Sequence, residues 1–190
     1  MNSPCLAHGL LRLRAMALLM FGRTARAEAV FGRMLLRWPG DAYALASRAH
    51  LRAQSGRPAA AIEDAQALVA LHPLRSAADW FNLAFLLEST GRAQEAEHAF
   101  RCALRIDEKL DRAWYGLGLV LIQMGRHDEA VAALEHNTRL QPMSPYGWYQ
   151  LARVHVERRE PDQARKIIGH LQGFEPKVAA QLQRETGLTP

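Results

Sequence analysis

Cysteine is scarce in these 190 residues: only Cys5 and Cys102 occur, far apart in the chain. No group of cysteines and histidines at the spacing of a zinc site surrounds either, so neither a disulfide framework nor a metal site is expected, and a reducing compartment suits the chain. Lysine is almost as rare, three against 21 arginines, and with abundant alanine this points to a bacterial, GC-rich coding bias. Long apolar runs are missing too. No stretch approaches the roughly 20 apolar residues that a membrane-crossing helix needs. Acidic residues are nearly absent from the first third, where Glu28 and Asp41 oppose nine arginines over residues 1–58, a net of +7, while the remainder nets −2. A basic N-terminal third can meet nucleic acid, acidic lipid or an acidic protein, or can simply keep helix faces solvated.

The chemistry of catalysis is also missing. No Gly-rich phosphate loop and no Ser or Cys nucleophile elbow occurs. The eight histidines are dispersed, none grouped with a carboxylate and a second His at metal-ligand spacing. Asp128 and Glu129 open a helix, where they favour the positive end of its dipole rather than forming an acid/base pair. Cys102 reads as a small buried apolar residue. The expectation is a non-enzyme with no cofactor and no metal.

What is present is a folded composition, 49% hydrophobic and 23% charged, and a repeat. Trp114, Leu117, Gly118, Leu121, Gly125, Ala130, Leu134 and Pro142 form one motif, and stepping by about 34 residues recovers its register along the chain. The units run 8–41, 42–75, 77–110, 111–144 and 145–178, with Ser76 inserted once. Gly22, Gly56, Gly91 and Gly125 share one offset, each followed by Arg; Ala27, Ala61, Ala96, Ala130 and Ala164 share another. Pro39, Pro73, Pro142 and Pro176 close four units. A Gly in the left-handed region ends the first helix and lets the chain reverse, a small Ala lets two helices approach, and Pro stops the second helix. Pro58 is tolerated at the start of its helix, where its missing N–H has no helical partner. In the fifth unit Arg159 stands at the Gly offset, and a looser or altered turn is expected there.

The pattern W-x-x-L-G-x-x-L, G, A-x-x-x-L, P resembles the tetratricopeptide repeat over residues 8–178, departing at the Tyr and Phe sites, where both carry Leu. The resemblance implies an all-α, right-handed α-solenoid of about five helix-turn-helix repeats, with a repeat domain over 1–178. Residues 179–190 are then a capping helix and tail, Leu182 turned inward and Gln181, Gln183, Arg184 and Glu185 turned elsewhere. It also implies a scaffold for protein–protein binding, an adaptor, assembly factor or chaperone, holding a peptide or protein segment in a groove lined by the first helices.

That groove would present Tyr43 and His50 from the second unit, and Phe81, Asn82 and Phe85 from the third. The fourth and fifth units would add Arg112 and Tyr115, then Tyr146, Tyr149, Gln150 and Arg153. Aromatic rings with a few neutral polar groups and two arginines suit a segment with apolar anchors and one or two acidic residues. The family's clamp for C-terminal carboxylates is matched only by His50, Asn82 and Arg112, with Ala46 and Gly116 at its other sites, so that mode is disfavoured.

The first unit departs most. Leu10, Leu13, Met16, Leu19 and Met20 make its first helix apolar well beyond one stripe, with Arg12 among them, where a terminal repeat should show a polar outer face. The second reading follows: the chain docks through this helix onto a larger complex, a second copy or an anionic membrane surface. Nucleic acid is a weaker candidate partner. Residues 15–22 with Ala25-Arg26-Ala27 also resemble a short secretory signal, but the eight-residue run is brief and Arg23 and Arg26 follow it. A cytoplasmic location is expected, with membrane association or export as the alternatives.

Overall fold

The computed structural model describes residues 4–189, with side chains from Leu6 onward. Among the described residues there are eleven helices and no strand. They alternate as α1 Pro4–Met20 and α2 Thr24–Arg37, α3 Ala42–Gln54 and α4 Pro58–Leu71, α5 Ala77–Ser89 and α6 Ala93–Ile106, α7 Asp111–Gln123 and α8 His127–Leu140, α9 Pro145–Glu157 and α10 Pro161–Gln172, then α11 Pro176–Thr186. The fold is the expected all-α series of helix-turn-helix repeats. Helix α11 begins at Pro176, so the 178/179 boundary falls inside it. The chain forms two compact units, one ending at Thr90 and one beginning at Gly91, which divides the third repeat between α5 and α6.

The turns follow from the glycines. Gly22, Gly56, Gly91 and Gly125 all have φ between 66° and 76°. At Gly125 the chain closes the end of α7 with Gly125 N–H donating to the Ile122 carbonyl (2.9 Å) and Arg126 N–H to the Leu121 carbonyl (2.9 Å). Arg159 departs from expectation. It keeps the left-handed turn at φ 62°, with Arg159 N–H on the Val156 carbonyl (3.0 Å) and Glu160 N–H on the His155 carbonyl (2.8 Å). The turn is not looser; its two closing hydrogen bonds hold the same geometry as at the glycines, and the backbone carries the strain of a side chain in that region. Arg159→Gly should therefore raise unfolding stability by about 1 kcal/mol, read by urea denaturation. A variant no more stable than the parent would show that the turn is unstrained.

The recurring alanines mark the helix contacts: Ala27, Ala61, Ala96, Ala130 and Ala164 are all fully buried. In the first unit Val30, Phe31, Met34 and Leu35 of α2 form a core with Leu45 and Leu51 of α3 and Leu68 of α4. In the second, Leu134 of α8, Leu151 and Val154 of α9, and Ile168 and Leu171 of α10 pack with Leu182 of α11. Three of the four tryptophans also tie down the loop before their helix. Trp80, Trp114 and Trp148 donate their indole N–H to the carbonyls of Pro73 (2.8 Å), Glu108 (2.8 Å) and Pro142 (2.9 Å). His136 stacks on Trp114 with centroids 4.3 Å apart, and His170 covers Trp148 at 4.5 Å. These two histidines are packing groups.

The side chains of two of the arginines after the turn glycines reach back to the preceding repeat, while Arg92 pairs with Glu95 of the helix that follows it. Arg57 pairs with Glu28 of α2 (2.5 Å), and Arg126 with Glu97 of α6 (2.6 Å). Glu28 also accepts from Arg52, and its carboxyl is held below the ordinary range chiefly by the Arg57 hydrogen bonds, which outweigh burial. Asp64, buried on α4, takes a two-point contact from Arg48 (2.8 and 2.6 Å) and a third from Arg52 (3.0 Å).

Candidate functional site

In the second unit the first helices α7 and α9 and the terminal α11 stand side by side around a cleft. Helix α9 buries Gly147, Leu151, Ala152 and Val154. Its helical period then places Tyr146, Tyr149, Gln150 and Arg153 on the opposite face. Tyr115 of α7 stands beside them. Across the cleft, α11 presents Glu175, Val178 and Gln181. With Pro145, these residues enclose about 450 Å³. Tyr146 is 70% exposed, a large aromatic ring left in solvent. Of the sequence candidates, Tyr115, Tyr146, Tyr149 and Gln150 thus come together here.

Tyr149 separates this cleft from a second of similar size, about 450 Å³, lined by Arg153, Val156, Glu157, Glu185 and Thr186. Its phenol donates to Glu185 (2.6 Å), and Gln181 donates to the other Glu185 oxygen (2.8 Å). The Tyr149 hydrogen bond holds the Glu185 carboxyl below its ordinary range, while that bond and burial push the Tyr149 phenol up. Gln181 and Glu185 therefore do not point away from the array as expected of a cap. Ala179 and Leu182 are fully buried, and the next helical face meets α9.

The charge of the lining also differs from expectation. Arg112, exposed at the start of α7, is not among the residues enclosing either cleft, and Arg153 lies with its guanidinium 5.8 Å from the Tyr149 ring centre. Three glutamates, Glu157, Glu175 and Glu185, share the walls with that one arginine. Glu157 pairs with His127 (3.3 Å) and Glu185 with Tyr149. Glu175 has no ion-pair or side-chain hydrogen-bond partner among the described residues. A segment bringing acidic residues to these walls would meet repulsion. The sequence signal for Glu175 and Gln181 was their place on a helix occupying the position of a sixth first helix.

The remaining candidates lie in the first unit. Tyr43 is half-buried, its ring covered by the Arg12 guanidinium at 4.3 Å and touched edge-on by Phe31 at 5.8 Å. His50, Asn82 and Phe85 are exposed and Phe81 is half-buried. Helix α1 has two apolar faces. Leu11, Ala15, Leu18 and Leu19 pack on the core, so Leu19 is no part of an outer surface. Leu6, Leu10, Leu13 and Met20 line the opposite side and are 62–84% exposed, with Met16 at its edge. Cys102 is buried, but its sulfur receives Arg105 at 2.8 Å rather than sitting among apolar groups alone.

Among the described residues no group of three or more His, Cys, Asp or Glu is placed to hold a metal ion, and no helix is long and apolar enough to cross a membrane.

Models of the tetratricopeptide repeat match residues 12–76, 47–111 and 87–149. Among solved structures the chain is similar to MamA, with a TM-score of 0.81 and 21% identity over 95% of this chain and 93% of that one. It is similar to YrrB, described as a tetratricopeptide repeat protein with an unusual peptide-binding site, with a TM-score of 0.81 and 16% identity over 90% and 88%. A tetratricopeptide repeat protein from Parabacteroides merdae aligns with a TM-score of 0.81 and 17% identity over 95% and 73%. At these identities the likeness shows the fold alone. No curated protein matches the chain in sequence.

Proposed function

Because the chain belongs to the tetratricopeptide repeat family, whose stacked helix pairs serve as protein-interaction scaffolds, we propose that it is a non-catalytic adaptor or assembly factor that holds an extended or helical segment of another protein against α7, α9 and α11. The observation that carries this reading is the tyrosine-walled cleft with Tyr146 standing in solvent. A rigid aromatic ring on a helix, beside two more rings and a floor of packed repeat, is the anatomy of a binding anchor. The peptide-binding site of YrrB, a similar fold, is consistent with it.

Tyr146→Ala tests the reading, since Tyr146 contributes little to the core. The variant should bind a co-purifying partner segment roughly tenfold more weakly, by fluorescence anisotropy or calorimetry, with an unchanged urea midpoint. Undiminished binding would rule this face out.

The second reading, docking through α1, is favoured by the outward apolar stripe of Leu6, Leu10, Leu13 and Met20. The helix carries Arg12 and Arg14 and no acidic residue, so an acidic protein surface or an anionic bilayer is the matching cover. Leu10→Ser with Leu13→Ser should release the protein from the particulate fraction of cells while leaving peptide binding intact; an unaltered distribution would end this reading.

A further inference from the structure

The cleft between α7, α9 and α11 is aromatic and acidic at once, and this combination selects for a particular side chain. Resting on the peptide-binding reading of this face, we infer that the cleft accepts the cationic head of a lysine or arginine side chain from the bound segment. Tyrosine faces carry negative potential, and Tyr115, Tyr146 and Tyr149 present three rings to one space. Glu175 stands at the wall of that space as a carboxylate without a partner, and no cation is among the residues that enclose it. Arg153, on the same face of α9, belongs to the adjoining cleft, where it is already engaged with Tyr149 and shares the walls with Glu157 and Glu185.

The chemistry of the other walls fits the rest of such a side chain. Pro145 and Val178 offer apolar surface to a methylene stem, while the amide oxygens of Gln150 and Gln181 can accept from an ammonium or guanidinium. A carboxylate in the same place would meet Glu175 and the three rings, with no cation among the lining residues to receive it. A purely apolar side chain would bury Glu175 and leave its carboxylate without water or a donor, which is unfavourable. Of the three classes, only the cation satisfies both the carboxylate and the rings.

The test uses the full chain and fluorescein-labelled pentapeptides Ala-Leu-X-Leu-Ala in which X is Lys, Arg, norleucine or Glu, read by anisotropy at low and high ionic strength. The Lys and Arg peptides should bind roughly tenfold more tightly than norleucine, the Glu peptide most weakly, and the advantage should shrink with salt. Glu175→Gln should erase the gap between Lys and norleucine while leaving norleucine binding and the far-ultraviolet circular dichroism unchanged. Equal binding of Lys and norleucine, preference for Glu, or a gap that survives Glu175→Gln would overturn the cationic assignment and leave the peptide-binding reading standing. Binding of no peptide, or Lys binding indifferent to Tyr146→Ala, would remove both readings of this face.

Discussion

Asp64→Ala lowers the unfolding free energy by about 3 kcal/mol, although alanine is the better helix former at that position. Asp64 is 3% exposed, and its two oxygens receive Arg48 at two points and Arg52 at a third. Removing it leaves two guanidiniums, with about a fifth of each side chain exposed, facing a space with no countercharge. Arg52 retains Glu28, which limits the loss; Arg48 retains nothing from this network. The charge itself is the fragile part, so Asp64→Asn, which keeps the shape, should recover less than half of the deficit. Replacing Asp64 by Leu together with Arg48 by Met should recover more, because an apolar pair avoids the desolvation cost of two ions. Urea unfolding of the three variants decides the matter, and an alanine variant within 0.5 kcal/mol of the parent, on the order of ordinary surface substitutions, would show the network to be energetically idle.

Phe100→Ala costs about 4 kcal/mol, and its partner across the contact is a glycine. The ring of Phe100 on α6 is 1% exposed and lies so close to Gly116 on α7 that an added Cβ would overlap it. Gly116→Ala alone should therefore destabilise by about 1–2 kcal/mol, overpacking exceeding the gain in helix propensity. In the Phe100→Ala background the ring is gone, the methyl fills part of the hole, and the same Gly116→Ala change should become stabilising. This reversal of sign is the prediction, read from a double-mutant cycle in urea. If Gly116→Ala costs the same in both backgrounds, the two residues are not in the contact described. The pair also explains why Gly116-Leu117-Gly118 is not a phosphate loop: Gly118 meets Leu134 of α8 almost as closely, so both glycines serve helix approach inside α7.

The repeat was legible in sequence because its determinants are local or strictly periodic. Gly125 ends a helix by its own backbone, Pro142 stops one by its own ring, and Ala130 packs wherever a helix of this pitch meets the next. Arg159 was misread because single-residue propensity is a weak prior against the hydrogen bonds and helix pairing that close the turn. The cleft was half legible. Tyr115, Tyr146, Tyr149 and Gln150 follow from the face of a helix already assigned, but Glu175, Gln181 and Glu185 depend on how α11 rotates against α9, which Leu182 and the Tyr149–Glu185 bond settle together in three dimensions. The arginines after the turn glycines were visible as a pattern and silent as to purpose, since Glu28 and Glu97 lie about 29 positions away in sequence from the arginines they meet.

Helix α11 buries Ala179 and Leu182 in the core of the second unit and also forms one wall of the cleft, so the packing of the last repeat and most of that wall are written in the same eleven residues. Lengthening the array by duplicating its last repeat would keep a helix at that place but replace the residues that make the wall. A change of repeat number at this end of the second unit therefore also changes the lining of the cleft.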